Sequence, residues 1–255
     1  MALLRINYYS ETLKMCTEMC AILPEKLHAD KQLKTLYLLH GLSDDHTAWQ
    51  RWTNIEKYVE GKNIAVIMPT THRGWYTDMY MGQNWFTFFT EELPGICRGF
   101  FPCLSLRRED TFVAGNSMGG YGAFKLALRA PGLFSKAAAL SGALDVSEIC
   151  LNAKNDDKNY FEDVFGPADR VRGSFNDLFA ATEQFDDKRF AKPKLYMWCG
   201  TEDFLYWQNV KMRNKLKSLD YPLLYRESSG DHRWQYWDEQ IKTLVNWLLK
   251  EEVNG

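Results

Sequence analysis

A serine between two glycines, with a strand-like run before it and a helix-like run after it, constrains this chain more than any other feature. Residues 115–119 read GNSMG, a GxSxG pattern, and residues 111–114 before it read TFVA. The residues after it are small and apolar at helical spacing. A serine on a sharp strand-to-helix turn adopts strained backbone angles, and flanking glycines let the strand and helix pack closely. The pattern predicts that Ser117 is an exposed nucleophile.

Strand-like and helix-like segments alternate along the chain. Buried-strand patterns end near residues 40, 69, 116, 145 and 199. Helical spacing covers residues 49–59, 83–99 with a kink at Pro94, 120–128 and a last stretch from Trp237 to about Glu251. This alternation predicts an α/β fold, a mostly parallel twisted sheet with helices on both faces. The alternating residues up to Pro24 predict two antiparallel strands at one edge.

The length and composition fit one globular unit. The chain has 255 residues, 45% of them hydrophobic and 25% charged, so we expect a single domain over residues 1–255. Residues 145–192 are polar and irregular. We expect them to form a small lid-like insertion of short helices over the active site.

Charge and cysteine usage exclude several classes of function. The formal net charge of −2 gives no electrostatic reason to bind nucleic acid or an anionic membrane. The first residues lack a signal-peptide pattern and no run is long enough to span a membrane, so a cytoplasmic location is expected. The six cysteines form no CxxC pair or zinc-ligand cluster. We therefore expect no metal site, and we interpret the cysteines as free buried thiols.

A nucleophilic serine needs a base, because a neutral hydroxyl reacts poorly at pH 7. In the α/β-hydrolase arrangement the order along the chain is serine, acid, histidine. Of the five histidines only His232 follows Ser117. His232 is therefore the predicted general base, in a polar loop before the last helix.

The third member of such a triad is a carboxylate that orients the imidazole. Asp203 is the first choice, because it follows the second predicted strand after the nucleophile strand. Asp145, at the end of the intervening strand, is the second choice. Glu202 and Asp231 are ranked lower, since each is one residue from a better-placed group and is expected to point elsewhere.

Two backbone N–H groups are predicted to form the oxyanion hole. Residues 36–39 form a strand that runs into His40 and Gly41, and the glycine allows the turn that aims the N–H of Leu42 into the site. The N–H of Met118, next after the nucleophile, is the second donor. His40 is expected to bond this turn rather than act as a base.

Aromatic residues make up 15% of the chain, and several are predicted to border the site. They would shorten the acyl pocket and favour acetyl to butyryl groups, although ordinary core packing accounts for each of them equally well. The predicted substrate pocket consists of Trp85, Phe204, Leu205, Trp207 and Trp234.

Five segments together resemble one family. They are HGLSDDHTAW, RGWYTDMYMGQNWFTFFTEELP, GNSMGGYGAFKLAL, SGALD and GDHRWQYW, and over nearly the whole chain they look like the tributyrin esterase group of the esterase D branch of α/β-hydrolases. The resemblance implies a serine carboxylesterase that acts on short acyl esters without a cofactor. It assigns Ser117, Asp203 and His232 as the triad, and Leu42 and Met118 as the oxyanion donors.

The natural substrate is left open by this resemblance. S-formylglutathione hydrolases of the same branch usually have a cysteine soon after HGL, where this chain has Ser43, Asp44 and Asp45. A thioesterase of that type is therefore a less favoured alternative, beside an acetyl-xylan or feruloyl esterase, an acyltransferase and an inactive binding module. The expected partner is a small-molecule ester, and whether the chain forms a homo-oligomer is also left open.

Overall fold

The computed structural model describes residues 1–26 and 32–250, and an eight-stranded sheet lies at its centre. The strand order is β1-β2-β4-β3-β5-β6-β7-β8. Strands β3 to β8 are parallel, whereas β1 pairs with β2, and β2 with β4, in antiparallel register. The predicted sheet with two antiparallel edge strands is confirmed. The strands are β1 Ala2–Ser10, β2 Met15–Leu23, β3 Lys34–Leu39, β4 Ile64–Pro69, β5 Thr111–Asn116, β6 Lys136–Leu140, β7 Lys194–Gly200 and β8 Leu223–Ser228.

Helices cover both faces of the sheet. Helices α1, α2 and α10 pack on one face, and α4 to α9 lie on the other. Both faces of the central strands are therefore buried, which explains their continuous apolar runs. The helices are α1 Ala48–Trp52, α2 Ile55–Val59, α3 Trp85–Thr87, α4 Leu93–Phe100, α5 Met118–Arg129, α6 Val146–Asn152, α7 Asn155–Phe165, α8 Leu178–Glu183, α9 Tyr206–Ser218 and α10 Trp234–Leu249.

Residues 49–59 were predicted to form one helix, but they form two short helices, so the prediction of a continuous helix was wrong. The break falls at Thr53, whose backbone is extended with φ −135° and ψ 167°. The carboxylate of Asp238 on α10 accepts the backbone N–H of Asn54 at 2.8 Å and its side-chain amide at 3.2 Å. These bonds replace the helical ones and fix the break against α10.

The kink predicted at Pro94 is a π-helical segment, Phe88–Glu92, between α3 and α4. Proline has no N–H to donate to the preceding turn, and here the N–H of Leu93 bonds to the carbonyl of Phe88, five residues back. The segment ends at Glu92, whose carboxylate accepts bonds from Ser10 and from two backbone N–H groups of the β1–β2 turn. The irregular turn thus ties this helix to the edge strands.

Residues 145–192 form short helices between β6 and β7. Apolar side chains of α7 and α8, among them Phe165 and Leu178, join the main core. Tyr160 of α7 accepts the indole N–H of Trp75 at 2.8 Å and donates to the carbonyl of Arg73 at 2.7 Å. The segment is therefore packed against the aromatic loop of residues 70–78. Its role as a lid stays a prediction, as does the single-domain organisation.

The six cysteines are free and four of them are buried, but Cys16 is exposed and Cys103 is half-buried, contrary to our expectation. Cys20 packs in the core with residues of α1 and α2, whereas Cys16, four residues earlier, lies outside the part of β2 that pairs with β4, residues 19–22. None of the helices in the described part of the chain is suited, by length and polarity, to traverse a lipid bilayer.

Parallel strands bring the loops at their carboxyl ends to one edge of the sheet. The loops after β3, β5, β7 and β8 carry residues 40–44, 117, 201–205 and 229–233 respectively. Ser117, Asp203, His232 and the Leu42 turn therefore meet at this edge.

Candidate active site

Ser117 occupies a strained turn between β5 and α5. Its φ of 52° and ψ of −118° lie outside the regions that side-chain-bearing residues normally adopt, as expected for a nucleophile elbow. A Cβ on Gly119 would lie 2.4 Å from the carbonyl oxygen of Leu39, and one on Gly115 would lie 2.5 Å from the Gly119 carbonyl. Only glycine fits at these two positions, so the pattern is required by close backbone packing.

The structure brings Ser117, His232 and Asp203 into one hydrogen-bonded chain. The Nε2 atom of His232 lies 3.0 Å from Ser117 Oγ, and Nδ1 lies 2.8 Å from Asp203 Oδ2. The carboxylate can only accept at Nδ1, so Nδ1 carries the proton and Nε2 is free to accept one from the serine. The Asp203 side chain is fully buried, and that of His232 is 20% exposed.

Glu202 and Asp231 bind other groups. The carboxylate of Glu202 accepts the backbone N–H of Gly230, which holds the pKa of Glu202 below its usual value. The carboxylate of Asp231 accepts from the Arg233 guanidinium at 2.6 Å. Neither lies in the hydrogen-bonded chain with His232.

Asp145 belongs to an ion-pair cluster instead. Its side chain is fully buried and accepts bonds from Lys211 and Arg172, each at 2.7 Å, while it caps α6 through the N–H of Glu148. Burial pushes the pKa of Asp145 up, but the Lys211 and Glu148 bonds and the Arg172 charge outweigh it and lower the pKa. The carboxylate anchors the start of the 145–192 segment to α9.

The loop after β3 lies directly beside the serine. A Cβ on Gly41 would be 3.6 Å from Ser117 Cβ, so the Leu42 turn borders the elbow. Ser43 has φ 72°, and the N–H of Asp44 bonds to the Gly41 carbonyl at 3.3 Å. On the other side of Ser117, α5 begins at Met118, whose N–H is in the first turn, where helical N–H groups lack partners within the helix. Both predicted oxyanion donors thus flank Ser117.

Hydrogen bonds of His40 hold the loop after β3 in place. Its Nδ1 donates to the Gly41 carbonyl at 2.7 Å, and its Nε2 accepts the N–H of Thr71 at 3.1 Å. The Tyr76 hydroxyl donates to the His40 carbonyl at 2.8 Å. Burial lowers the pKa of His40 to about 4, so the ring is neutral at pH 7. These bonds match the structural role expected for His40.

Two predicted pocket residues are exposed aromatics. Phe204 and Trp207 are each 75% exposed, and the Phe204 ring lies 4.5 Å from the His232 ring. Trp234 is half-buried and contacts the rings of Trp49 and Trp237.

The other two predicted pocket residues, Leu205 and Trp85, are core residues. Leu205 is buried and its backbone N–H donates to Asp203 at 2.8 Å. Trp85 is 3% exposed, with Gly74 packed flat against its indole. Their side chains offer almost no surface to a ligand, because Trp85 is packed against the loop of residues 70–78 and Leu205 is buried beside Asp203. The composition of the pocket remains a prediction.

Trp237 was missed from the sequence. Its ring lies 4.9 Å from the His232 ring at 88°, and its indole N–H donates to Ser141 Oγ at 3.2 Å. The sequence did contain a signal for this contact. Trp237 comes five residues after His232, so a helix that begins just after the histidine places Trp237 in its first turn, next to the imidazole. From the sequence alone, Trp237 belongs only to the helical spacing of the last segment.

A family model described as "Putative esterase" matches residues 10–248. The acetyl esterase of Caldicellulosiruptor saccharolyticus is 34% identical over 98% of this chain and 99% of its own length.

Two solved structures from Staphylococcus aureus are also similar. One is the fluorophosphonate-binding serine hydrolase FphF, with a TM-score of 0.90, and the other is the S-formylglutathione hydrolase FrmB, with a TM-score of 0.87. Each is 35% identical, with 98% of this chain and 99% of the other covered.

Proposed function

This chain belongs to the esterase family, and we propose that it is a serine carboxylesterase that hydrolyses short acyl esters, acetyl to butyryl, through an acyl-enzyme on Ser117. The observation that carries the proposal is the continuous chain of hydrogen bonds from Ser117 through His232 to Asp203, at 3.0 and 2.8 Å. The similarity to an acetyl esterase over almost the entire length of both proteins supports a short acyl group.

In the first half of the proposed reaction, Ser117 Oγ attacks the ester carbonyl while Nε2 of His232 takes its proton. Asp203 holds the imidazole in the required tautomer and stabilises the imidazolium. The imidazolium then gives its proton to the departing alcohol, which leaves an ester between the acyl group and Ser117.

In the second half, water takes the place of the alcohol. His232 removes a proton from water as it attacks the acyl carbonyl, and the proton returns to Ser117 Oγ as the carboxylic acid leaves. Both halves pass through a tetrahedral oxyanion, which the N–H groups of Leu42 and Met118 are proposed to bind. One such donor is commonly worth about 10²–10³ in rate.

We propose a small-molecule ester as the substrate, with no cofactor, and a cytoplasmic location. Of the two exposed aromatics after the acid, Trp207 is the proposed pocket residue with surface available to a ligand, whereas the Phe204 ring lies against His232. Tributyrin is a suitable test substrate for the glyceride class.

A thioesterase of the S-formylglutathione hydrolase type is the second candidate. The 35% identity and TM-score of 0.87 with FrmB favour it, and the same triad would cleave a thioester. Comparison of kcat/KM for S-formylglutathione and p-nitrophenyl acetate separates the two candidates, because a thioesterase should prefer the first substrate by orders of magnitude.

The proposal is tested with p-nitrophenyl esters from acetyl to decanoyl. The wild type should turn over acetyl or butyryl esters fastest, and Ser117→Ala should lose several orders of magnitude in kcat while it stays folded by circular dichroism. No turnover at any length by a folded wild type, or full activity in Ser117→Ala, would contradict the proposal.

A further inference from the structure

One carboxylate places a phenyl ring over the proposed catalytic histidine. Asp203 Oδ2 binds His232 Nδ1 at 2.8 Å, while Oδ1 accepts the N–H of Leu205 at 2.8 Å. The second bond closes a tight turn with Phe204 at its apex. The Phe204 ring then lies with its centroid 4.5 Å from that of His232, the two planes tilted by 52°.

A second ring lies close to the same imidazole. The Trp237 indole is 4.9 Å away and perpendicular, is almost fully buried, and is fixed by its bond to Ser141. The nitrogen edges of the imidazole are thus held by Asp203 and Ser117, while two aromatic rings restrain the rest of the ring.

Core packing does not account for Phe204. Its side chain is 75% exposed, so little of its apolar surface is withdrawn from water, and burial is what makes a large apolar side chain stabilising. The Phe204 ring does contact the ring of His232.

We infer that Phe204 is a positioning residue for His232: its ring keeps the imidazole aligned between Asp203 and Ser117 and covers one side of the imidazolium that forms during proton transfer. The electron-rich face of an aromatic ring attracts a cation, and this attraction is present at exposed sites as well. This inference rests on the proposed function, since it needs His232 to carry a proton.

The inference differs from a pocket role in what it predicts. His232 acts on every ester and in both halves of the reaction, so the loss of its positioning ring should lower kcat by one factor for all acyl lengths. The loss of a pocket wall should instead raise KM or change the preferred acyl length.

The experiment compares Phe204→Ala, Phe204→Leu and Phe204→Tyr across p-nitrophenyl esters from acetyl to octanoyl. We expect kcat to fall about 3- to 10-fold in the Ala and Leu variants, by the same ratio for each ester, with KM within about twofold of wild type. Phe204→Tyr should restore kcat because it restores the ring. Leu is informative because it keeps an apolar side chain of similar bulk without the aromatic face.

Phe100→Ala is the matched control. Phe100 is an exposed phenylalanine at the end of α4 whose ring pairs with Tyr8 on the edge strand β1, so its loss should leave kcat unchanged. As a second readout, the rate at which a fluorophosphonate labels Ser117 should fall in the Ala and Leu variants in parallel with kcat.

The outcomes separate the two claims. If the wild type neither hydrolyses an ester nor reacts with the fluorophosphonate, the proposed function fails. If the wild type is active but Phe204→Ala and Phe204→Leu keep full kcat, or lose activity in proportion to acyl length, the positioning role is overturned and the esterase assignment stands. Should Phe204→Ala fail to fold, the Leu and Tyr pair decides the question in the same way.

Discussion

Glu202 and Gly230 are joined by two reciprocal hydrogen bonds. The Glu202 carboxylate accepts the N–H of Gly230 at 2.5 Å, and the N–H of Glu202 donates to the Gly230 carbonyl at 3.0 Å. A Cβ on Gly200 would lie 2.0 Å from that same carbonyl. The loop that carries Asp203 and the loop that carries His232 are therefore packed backbone to backbone, which fixes the distance between the proposed acid and the proposed base.

Loss of this clamp should reduce turnover. We expect Glu202→Ala to lower kcat about tenfold, because a displacement of the His232 loop by a fraction of an ångström misaligns the proton transfer. Glu202→Gln keeps an acceptor oxygen for the Gly230 N–H and should retain most of the activity. Steady-state kinetics on p-nitrophenyl acetate measure both, and equal kcat in all three proteins would show that the clamp is unimportant.

The choice of Asp203 over Asp145 can be tested directly. Asp203→Asn should lower kcat by about 10³–10⁴, because an amide no longer selects the tautomer in which Nε2 accepts the serine proton. Asp145→Asn, at the second-ranked carboxylate, should keep kcat within about threefold, since Asp145 binds Lys211 and Arg172. The reverse pattern of losses would reassign the acid.

Asp44 gives a pH-dependent prediction for stability. Burial and the charge of Asp45 raise the pKa of the Asp44 carboxyl from 3.8 to about 6. The folded state therefore disfavours the ionised form, so this group destabilises the fold above pH 6 and ceases to do so below about pH 4. Because Asp44 is only half-buried, solvent screening reduces the effect, and Asp44→Asn should raise the free energy of unfolding by about 1 kcal/mol at pH 7.5.

Urea unfolding at pH 7.5 and pH 4.5 measures this effect. The advantage of Asp44→Asn over the wild type should shrink as the pH falls through 6, since the wild-type carboxyl then takes up its proton. An advantage of equal size at both pH values would contradict the assigned cause.

The elbow glycine should tolerate no side chain. In Gly119→Ala the new methyl group meets backbone carbonyls of Leu39 and His40 at 2.4 and 2.7 Å, so β3 and α5 must separate. We expect a loss of more than about 2 kcal/mol in the free energy of unfolding.

Gly99→Ala in α4 is its matched control. The added methyl group there meets nothing within 4 Å, and alanine is the better helix former by up to about 1 kcal/mol. Thermal unfolding should therefore place Gly119→Ala well below the wild type and Gly99→Ala at or above it. A Gly119→Ala protein as stable as wild type would mean that the elbow is loosely packed.

Much of the fold was predictable because its signals are local. The GNSMG turn, the buried strand runs and the alternating first strands each depend on residues near one another in sequence, and the sheet they predicted is the one observed. His232 could be singled out because no other histidine follows Ser117.

The remainder depends on contacts between distant residues. The break at Thr53 is set by Asp238, which lies 184 residues beyond its partner Asn54. Asp203 binds His232 whereas Asp145 binds Lys211 and Arg172, and these partners are distant in sequence. Trp85 is buried by parts of the chain that are also outside its own helix. Lys125 is fully buried on α5 between Thr77 and Asn176, although lysine usually lies on the surface.

Ser117 is the residue on which the proposed reaction depends, and covalent labelling identifies the nucleophile without a substrate. The protein is treated with a fluorophosphonate and its intact mass and peptides are measured, for the wild type and for Ser117→Ala. We expect one adduct per wild-type chain, on the peptide that contains Ser117, and none on the variant. An unlabelled wild type, or a Ser117→Ala protein labelled as fast as the wild type, would contradict this expectation.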